Sequence, residues 1–282
     1  MKHMSLYFLL SALVIVPGIF SLVRWGLRLS IEFTGGSQLT VTQLTQDPKS
    51  IAGSFRDYSP IISDSSKDTL TLKMKAITQE EVTKIIGDLK KANPKITTTD
   101  FETIGPALGA ETIRKTLNAL MLVSAALILY ISYAFKQLKF GVCAVVAALH
   151  DTLVVLGSFS LLGHFAGVEV DLLFVTAVLT MLSYSVHDTI VVFDRIRELS
   201  HKTKNIDFES LANRAVTETM ARSLNNSLAV IFMLLAMFLM GGETTKYFAL
   251  ALLIGTITGT YSSTFTATPL LVLWNKYIGK KK

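Results

Sequence analysis

The stretch "VLTMLSYSVHDTIVVFDRIRE" (residues 178–198) is apolar enough to lie in a lipid bilayer, yet it carries an imidazole and a carboxylate side by side, His187 and Asp188. An ionisable side chain in hydrocarbon costs about 2.5 to 3.5 kcal/mol on insertion scales, so such residues usually face the interior of a helix bundle or a water-filled cavity and have a partner. The stretch therefore predicts a membrane helix that carries a functional polar site.

The rest of the chain has the composition of a membrane protein. Of its 282 residues, 50% are hydrophobic and 17% are charged, and the mean hydropathy is +0.48. A helix needs about 20 apolar residues to cross a bilayer, and six runs qualify: 4–23, 117–135, 140–162, 172–193, 223–240 and 247–274. We expect the first run to be an uncleaved anchor, because no small-x-small cleavage pattern follows it before Arg24.

The short connections between these runs differ in charge. If the N-terminus is cytoplasmic, 13 Lys and Arg residues fall on the inner side, whereas the short outer connections carry only Lys246. Because cytoplasmic loops are enriched in Lys and Arg, the pattern predicts that both termini are cytoplasmic. Contact with the anionic inner leaflet of the lipid bilayer then explains the net charge of +6, and no nucleic-acid partner is expected.

Residues 24–116 separate the first two runs and are predicted to fold outside the cytoplasm as a small α+β domain. Three alternating stretches predict strands, "GSQLTVTQL" (36–44), "DTLTLKMKAI" (68–77) and "KITTTDFETIG" (95–105). Between the last two, Thr78 and Glu81 have the spacing of a capping box that starts a helix, and Pro94 lies just past its end. The predicted organisation is a first membrane helix at 1–23, this domain at 24–116, five further helices at 117–275 and a basic cytoplasmic tail at 276–282.

Helical spacing on the fourth run places several polar residues on one stripe, with Asp188 about 100° away from His187: Thr176, Thr180, Ser183, His187 and Asp194. The fifth run enters from the same side with "ARSLNNS" (221–227), where Arg222, Asn225 and Asn226 share a face. We expect Asp188 and Arg222 to form an ion pair that breaks when the carboxylate is protonated. A permanent ion pair that only fixes helix packing is the alternative.

A short repeat places a second polar pair on the third run, since "LHDTLVV" (149–155) parallels "VHDTIVV" (186–192). His150 and Asp151 predict either a hydrogen-bonded contact between helices or a proton relay. A metal site shared by the two pairs is a third possibility, but each carboxylate directly follows its imidazole and so points elsewhere on its helix. We expect no metal and no cofactor, and the chain has no phosphate-binding G-x-x-x-x-G-K-[ST] motif.

Small residues recur every four positions on the sixth run, and such a ridge lets helix backbones approach closely: Ala251, Gly255, Gly259 and Ser263. The ridge predicts packing within the bundle, and a docking face for a partner membrane protein is the alternative.

After the first run, "IEFTGGS" (31–37) contains two glycines that permit positive φ in a tight turn. We interpret its residues Phe33, Thr34, Gly35 and Gly36 as a hinge between the anchor and the α+β domain.

Seven motifs, in order along nearly the whole chain, resemble the SecF family of protein-export membrane proteins: "IEFTGG", "GPALGAE", "ALHDTLVVLGSFSLLG", "YSVHDTIVVFDRIRE", "NNSLAV", "GGETTKYFALALLIGTITGTYSS" and "ATPLL". The resemblance implies an RND-type fold of six membrane helices with an extracytoplasmic domain after the first. It also implies a place in the bacterial plasma membrane, a six-helix SecD partner and a position beside the Sec channel. The implied activity is non-enzymatic, namely use of the proton-motive force to help export preproteins.

On this resemblance, Asp188 matches the family's proton-responsive aspartate and Arg222 its arginine at the start of the fifth span. The chain departs from the family's usual pattern at Ser183 and His187, where glycine and asparagine are common, and His187 adds a group that titrates near neutrality. Ser30 and Glu32 likewise replace the usual glycine and aspartate before the double glycine. Two other functions remain possible on the residues alone: half of an RND-type exporter of small molecules or metals that uses the same proton site, and a purely scaffolding role.

Overall fold

A computed structural model describes residues 4–43, 47–65, 69–92, 94–202 and 206–277. It contains six helices that are long and apolar enough to cross a membrane and one four-stranded sheet, which confirms the predicted fold class. Several basic residues used in the charge argument, among them Lys2, Lys204 and the end of the predicted tail at 280–282, lie outside the described residues.

The chain divides into two compact units. We call residues 1–27, 119–168 and 172–282 the membrane unit, and residues 28–118 together with 169–171 the sheet domain. The helices, in chain order, are α1 (Met4–Arg24), α2 (Ile31–Thr34), α3 (Pro48–Gly53), α4 (Gln79–Ala92), α5 (Pro106–Phe135), α6 (Leu138–Ala166), α7 (Leu172–Lys202), α8 (Phe208–Met240), α9 (Glu243–Ser262) and α10 (Thr268–Tyr277).

The sheet domain has four antiparallel strands in the order β2-β3-β1-β4. Their bounds are β1 (Gly36–Thr42), β2 (Ile61–Ser65), β3 (Thr69–Met74) and β4 (Thr97–Ile104). Alternate residues of the two central strands are fully buried and pack with the apolar face of α4, as expected for a sheet with one covered face. The sequence prediction missed β2, because "IISDS" holds only two apolar residues and does not alternate.

The predicted capping box at the start of α4 is confirmed. The Glu81 carboxylate accepts hydrogen bonds from the Thr78 backbone N–H at 3.0 Å and from the Thr78 hydroxyl at 2.8 Å, and the Glu81 N–H donates to the Thr78 hydroxyl at 3.3 Å. Tyr58 donates a further bond to the same side chain at 3.0 Å. These bonds, led by that from the Thr78 backbone, lower the pKa of Glu81 below its ordinary value.

The two glycine motifs of the sheet domain pack against each other. Gly35 and Gly36 have φ of +71° and +117°, which favours glycine. A Cβ on Gly35 would lie 2.7 Å from the Cα of Pro106, and one on Gly109 would lie 2.7 Å from the Phe33 carbonyl oxygen. The motif that we interpret as a hinge therefore forms a close backbone junction with the start of α5.

A three-residue segment, Glu169–Asp171, belongs to the sheet domain although it joins α6 to α7 in the chain. The Glu169 carboxylate pairs with Lys73, accepts a hydrogen bond from Ser63 at 3.0 Å and lies 3.3 Å from the Arg28 guanidinium. The Val170 N–H donates to the Arg28 carbonyl oxygen at 2.7 Å. No local sequence pattern predicts this connection, because the partners of Glu169 lie 96 residues or more away in the chain.

In the membrane unit, α6 and α7 are the central helices. Of their most apolar windows 56% and 50% are buried, against 6% for α5 and 11% for α1. The helices α1 and α6 approach closely at Gly18 and Gly157, since a Cβ on Gly157 would lie 2.5 Å from the Gly18 Cα. Beyond α9, residues Ser263–Ala267 form a π-helical turn, a rare feature that often marks functional sites.

Candidate proton site in the membrane unit

Asp188 lies on the inward face of α7 and is 8% exposed. Its Oδ1 accepts a hydrogen bond from the Ser223 hydroxyl of α8 at 2.5 Å, and its Oδ2 accepts one from the hydroxyl of Ser263, the first residue of the π-turn. The carboxylate is thus solvated by two hydroxyl groups from two different parts of the bundle.

The expected ion pair between Asp188 and Arg222 is not formed in the described part of the chain. Arg222 is exposed, whereas the next residue, Ser223, is 5% exposed and bonds the carboxylate. Neighbouring residues of a helix are 100° apart, so α8 cannot turn both side chains toward Asp188. Asn225 and Asn226 are also exposed, and the structure does not bring them to the site.

The polar stripe of α7 faces away from the described bundle, so His187 does not lie in the bundle interior, the first of the two environments expected for it. All five residues of the stripe are exposed: Thr176, Thr180, Ser183, His187 and Asp194. Thr176 and Thr180 donate their hydroxyls to carbonyls of their own helix, and Asp194 pairs with Arg197 at 2.8 Å. Because Asp188 is 100° from His187, the side of α7 that buries the carboxylate leaves the imidazole outside.

His150 and Asp151 form the second polar cluster of the bundle. Asp151 on α6 is fully buried. Its Oδ1 lies 2.9 Å from His150 Nδ1, and its Oδ2 accepts hydrogen bonds from Ser185 at 2.5 Å and from Ser262 at 2.6 Å. Across the described ranges, no three or more His, Cys, Asp or Glu residues are grouped as metal ligands.

Four serines that the sequence analysis did not single out for this role hold the two acids: Ser185, Ser223, Ser262 and Ser263. The sequence contains a signal that could have identified them. A buried carboxylate needs hydrogen-bond donors, and small hydroxyl residues cluster in "TYSSTFT" (260–266). The glycine ridge brings these donors within reach. A Cβ on Gly255 would lie 2.7 Å from Met181, and one on Gly259 would lie 3.2 Å from the Cα of Ser185.

A groove of about 390 Å³ between α8 and α9 is lined in part by Ser223, which bonds Asp188. Beside Ser223, the groove contains Ser227, which accepts hydrogen bonds from Tyr184 at 2.9 Å and from Thr260 at 2.6 Å. A hydroxyl is both donor and acceptor and rotates freely. The two hydroxyls that contact the carboxylate, Ser223 and Ser263, can therefore solvate it in either of its protonation states.

Residues 84–277 match the family model "Protein export membrane protein SecD/SecF, C-terminal". The chain is also 41% identical over 288 aligned positions to the protein translocase subunit SecF of Thermobaculum terrenum, with 95% of this chain and 91% of the relative covered. The chain belongs to the SecF family. The SecF subunit of Anaerolinea thermophila is similar as well, at 37% identity with 95% and 91% coverage.

The fold matches solved structures of SecDF. The translocon-associated membrane protein SecDF of Thermus thermophilus superimposes with a TM-score of 0.84 at 28% identity, over 98% of this chain and 39% of that one. A SecDF structure in a super-membrane-facing form gives a TM-score of 0.70 at 28% identity, over 99% and 38% of the two chains. This SecF-family chain is a multi-pass membrane protein and spans about two fifths of the SecDF chains that it matches.

Proposed function

We propose that this chain is a subunit of a protein-export machinery in the bacterial plasma membrane, and that it couples proton movement through Asp188 to a late step of export. The observation that carries the proposal is the carboxylate of Asp188, which is buried in the bundle and held by serine hydroxyls alone among the described side chains. Because both partners are uncharged, binding of one proton leaves the site with no net charge. A carboxylate locked to a cation would resist that change.

Protonation also rearranges the hydrogen bonds of the site. A charged carboxylate only accepts, whereas a protonated one donates through one oxygen. One of the two hydroxyls, Ser223 or Ser263, must then turn and accept. Because Ser263 is the first residue of the π-turn, this change acts where the sixth membrane run departs from regular α-helix. We infer that this turn is the element that responds to the proton.

Arg222 belongs to the same proposal as a residue of a second state. It directly precedes Ser223 on α8, so a rotation of α8 by about one residue would exchange the hydroxyl for the guanidinium at the carboxylate. The two states would then differ in proton affinity, as any proton-driven shift requires.

A SecD-type membrane protein is the partner that we propose. The exposed stripe of α7 places His187 and Ser183 on an outer surface of the bundle, where hydrocarbon contact is unfavourable. A neighbouring helix with polar groups would cover them. The length of the SecDF chains, of which this chain matches 39%, leaves room for such a neighbour. We further propose that both termini are cytoplasmic and that the sheet domain lies outside the cytoplasm, where preproteins emerge from the Sec channel.

The partner surface is tested by co-purification from native membranes. Thr180→Trp, on the stripe, is expected to lower the amount of SecD-type protein recovered with the chain several-fold. Leu129→Trp on α5, a site that is 71% exposed, is the control and should leave recovery unchanged. Equal recovery with both variants would place the partner on another surface.

The activity is tested by preprotein translocation into inverted membrane vesicles that contain the chain and its partner. Asp188→Asn is expected to reduce the proton-dependent part of export to the level of vesicles without the chain. Asp88→Asn, which neutralises an exposed carboxylate paired with Lys91, is the matched control and should export normally. If Asp188→Asn vesicles respond fully to the proton-motive force, the proposal is wrong. Asp188→Glu, which keeps a titratable group, should retain part of the activity and separates loss of the proton site from misfolding.

A further inference from the structure

Asp151 is the more deeply buried of the two membrane acids, at 0% exposure against 8% for Asp188. Its oxygens face His150, Ser185 and Ser262, and within the described residues no Lys or Arg is paired with it. A buried charge without a cation is costly. The cost falls when the pair of Asp151 and His150 takes up one proton, because the pair then carries no net charge.

The two ring nitrogens of His150 have different surroundings, and Nδ1 is the one that lies against the Asp151 carboxylate. Its side chain is 10% exposed, and its Nε2 is buried without a hydrogen-bond partner in the described part of the chain. The ring stacks near Tyr261, with centroids 6.5 Å apart, but the Tyr261 hydroxyl is engaged with the Tyr7 carbonyl oxygen at 2.8 Å. An imidazole in this position can accept a proton at Nε2 and release one from Nδ1.

The second cluster is linked to the first through consecutive residues. Ser262 donates to Asp151, and Ser263 donates to Asp188. On α7, Ser185 donates to Asp151 one helical turn before Asp188 itself. The titratable group in contact with Asp151 is His150 on its own helix. Tyr261 on α9 lies beside the His150 ring, and Asp188 on α7 is bonded by the serine that follows the donor of Asp151.

We propose that His150 and Asp151 form a second proton-binding site, coupled to Asp188 through the adjacent hydroxyls of Ser262 and Ser263. A proton binds at His150 Nε2, and the proton on Nδ1 passes to Asp151 Oδ1. The products are a neutral imidazole protonated at Nε2 and a neutral carboxylic acid, so one proton is taken up in total. This inference rests on the proposed function, because it adds a second site to the same proton-driven change.

On this proposal the two acids, whose donors Ser262 and Ser263 are adjacent residues, titrate as a coupled pair. The test is infrared difference spectroscopy during a pH titration of the full chain with its co-purified partner in lipid nanodiscs, followed at the stretching bands of protonated carboxyl groups. The wild type is expected to show one band removed by Asp151→Asn and another removed by Asp188→Asn. In Asp151→Asn, the titration of the remaining Asp188 band should differ from that of the wild type, because the acid coupled to it is gone. Asp88→Asn, at an exposed carboxylate, is the control and should alter neither band.

Two further variants keep the test decisive if Asp151→Asn does not fold. His150→Gln retains a hydrogen bond to the carboxylate but cannot titrate, so the Asp151 band should remain while its midpoint moves. Ser262→Ala should separate the two titrations. The proposal is overturned if no band depends on Asp151, or if changes at Asp151, His150 and Ser262 all leave the Asp188 titration unmoved. Normal export by Asp188→Asn would instead contradict the proposed function. An infrared band that depends on Asp151 would still establish the second site in that case.

Discussion

The sheet domain and the membrane unit both bury carboxylates, but they solvate them in opposite ways. In the sheet domain, Glu169 is 18% exposed and pairs with Lys73 and Arg28. In the membrane unit, Asp188 and Asp151 are more deeply buried and are held by serines, with a histidine added at Asp151.

The difference indicates what each carboxylate can do. Glu169 is held by two cations of opposite charge, so it serves as a fixed structural contact. A carboxylate among hydroxyls has partners that can serve it in either form, so its charge can change during a working cycle. Four predictions test this contrast, from the largest expected effect to the smallest.

Glu169→Gln is expected to destabilise the sheet domain by about 3 kcal/mol, because it leaves the Lys73 ammonium, only 16% exposed, without its counter-charge. Hydrogen exchange of the β3 amides, which reports local unfolding, measures the effect. Asp88→Asn removes an exposed carboxylate paired with Lys91 and serves as the control, with almost no change expected. Equal effects of the two variants would show that the ion pairs of Glu169 contribute no more to stability than a surface pair does.

Ser263→Ala is expected to destabilise the membrane unit by about 2 kcal/mol when Asp188 is charged, since a hydrogen bond to a buried charge is lost. The loss should shrink at low pH, where the carboxyl group is neutral. Thermal unfolding in nanodiscs at two pH values measures both effects. Ser200→Ala changes an exposed serine whose hydroxyl donates to the Arg197 carbonyl of its own helix and controls for the loss of a hydroxyl. A pH-independent loss would contradict the proposed change of charge at Asp188.

Asp188→Asn is expected to change stability by less than about 1 kcal/mol, or to increase it, because it removes an unpaired buried charge and keeps an acceptor for the serines. Unfolding of this variant beside Glu169→Gln compares the same chemical change, carboxylate to amide, in the two regions. A strong destabilisation by Asp188→Asn would mean that a cation stabilises Asp188 after all.

Glu81 provides the smallest effect, since it is exposed. Its pKa is lowered by the Thr78 capping bonds, so its contribution is present above the unfolded-state pKa and is lost as the pH falls through the folded-state value. Glu81→Gln keeps an acceptor but does not titrate. The unfolding temperature of this variant relative to the wild type should therefore rise as the pH falls from about 7 to about 3. Glu80→Gln, in the same turn, is the control for loss of a charge. Parallel unfolding temperatures of wild type and Glu81→Gln across this range would contradict the assignment.

The sequence by itself determined the six membrane helices, the α+β domain after the first of them, the capping box at Thr78 and the family. It did so because apolar run length, strand alternation and capping are local properties of the chain. It also identified Asp188 and Asp151 as residues that need partners. Helical spacing also predicted that His187 and Asp188 point in directions about 100° apart, which agrees with an exposed His187 and a buried Asp188.

Tertiary structure alone decided which way each helix is turned. Periodicity gives the angles between residues of one helix but not the rotation of that helix in the bundle, because neighbours set the rotation through packing. For that reason Ser223 rather than Arg222 contacts Asp188, and the stripe with His187 faces outward. Likewise, Ser262 bonds Asp151 whereas its neighbour Ser263 bonds Asp188. The same limit hid Glu169, whose partners Lys73 and Arg28 are far away in sequence and are brought to it only by the fold.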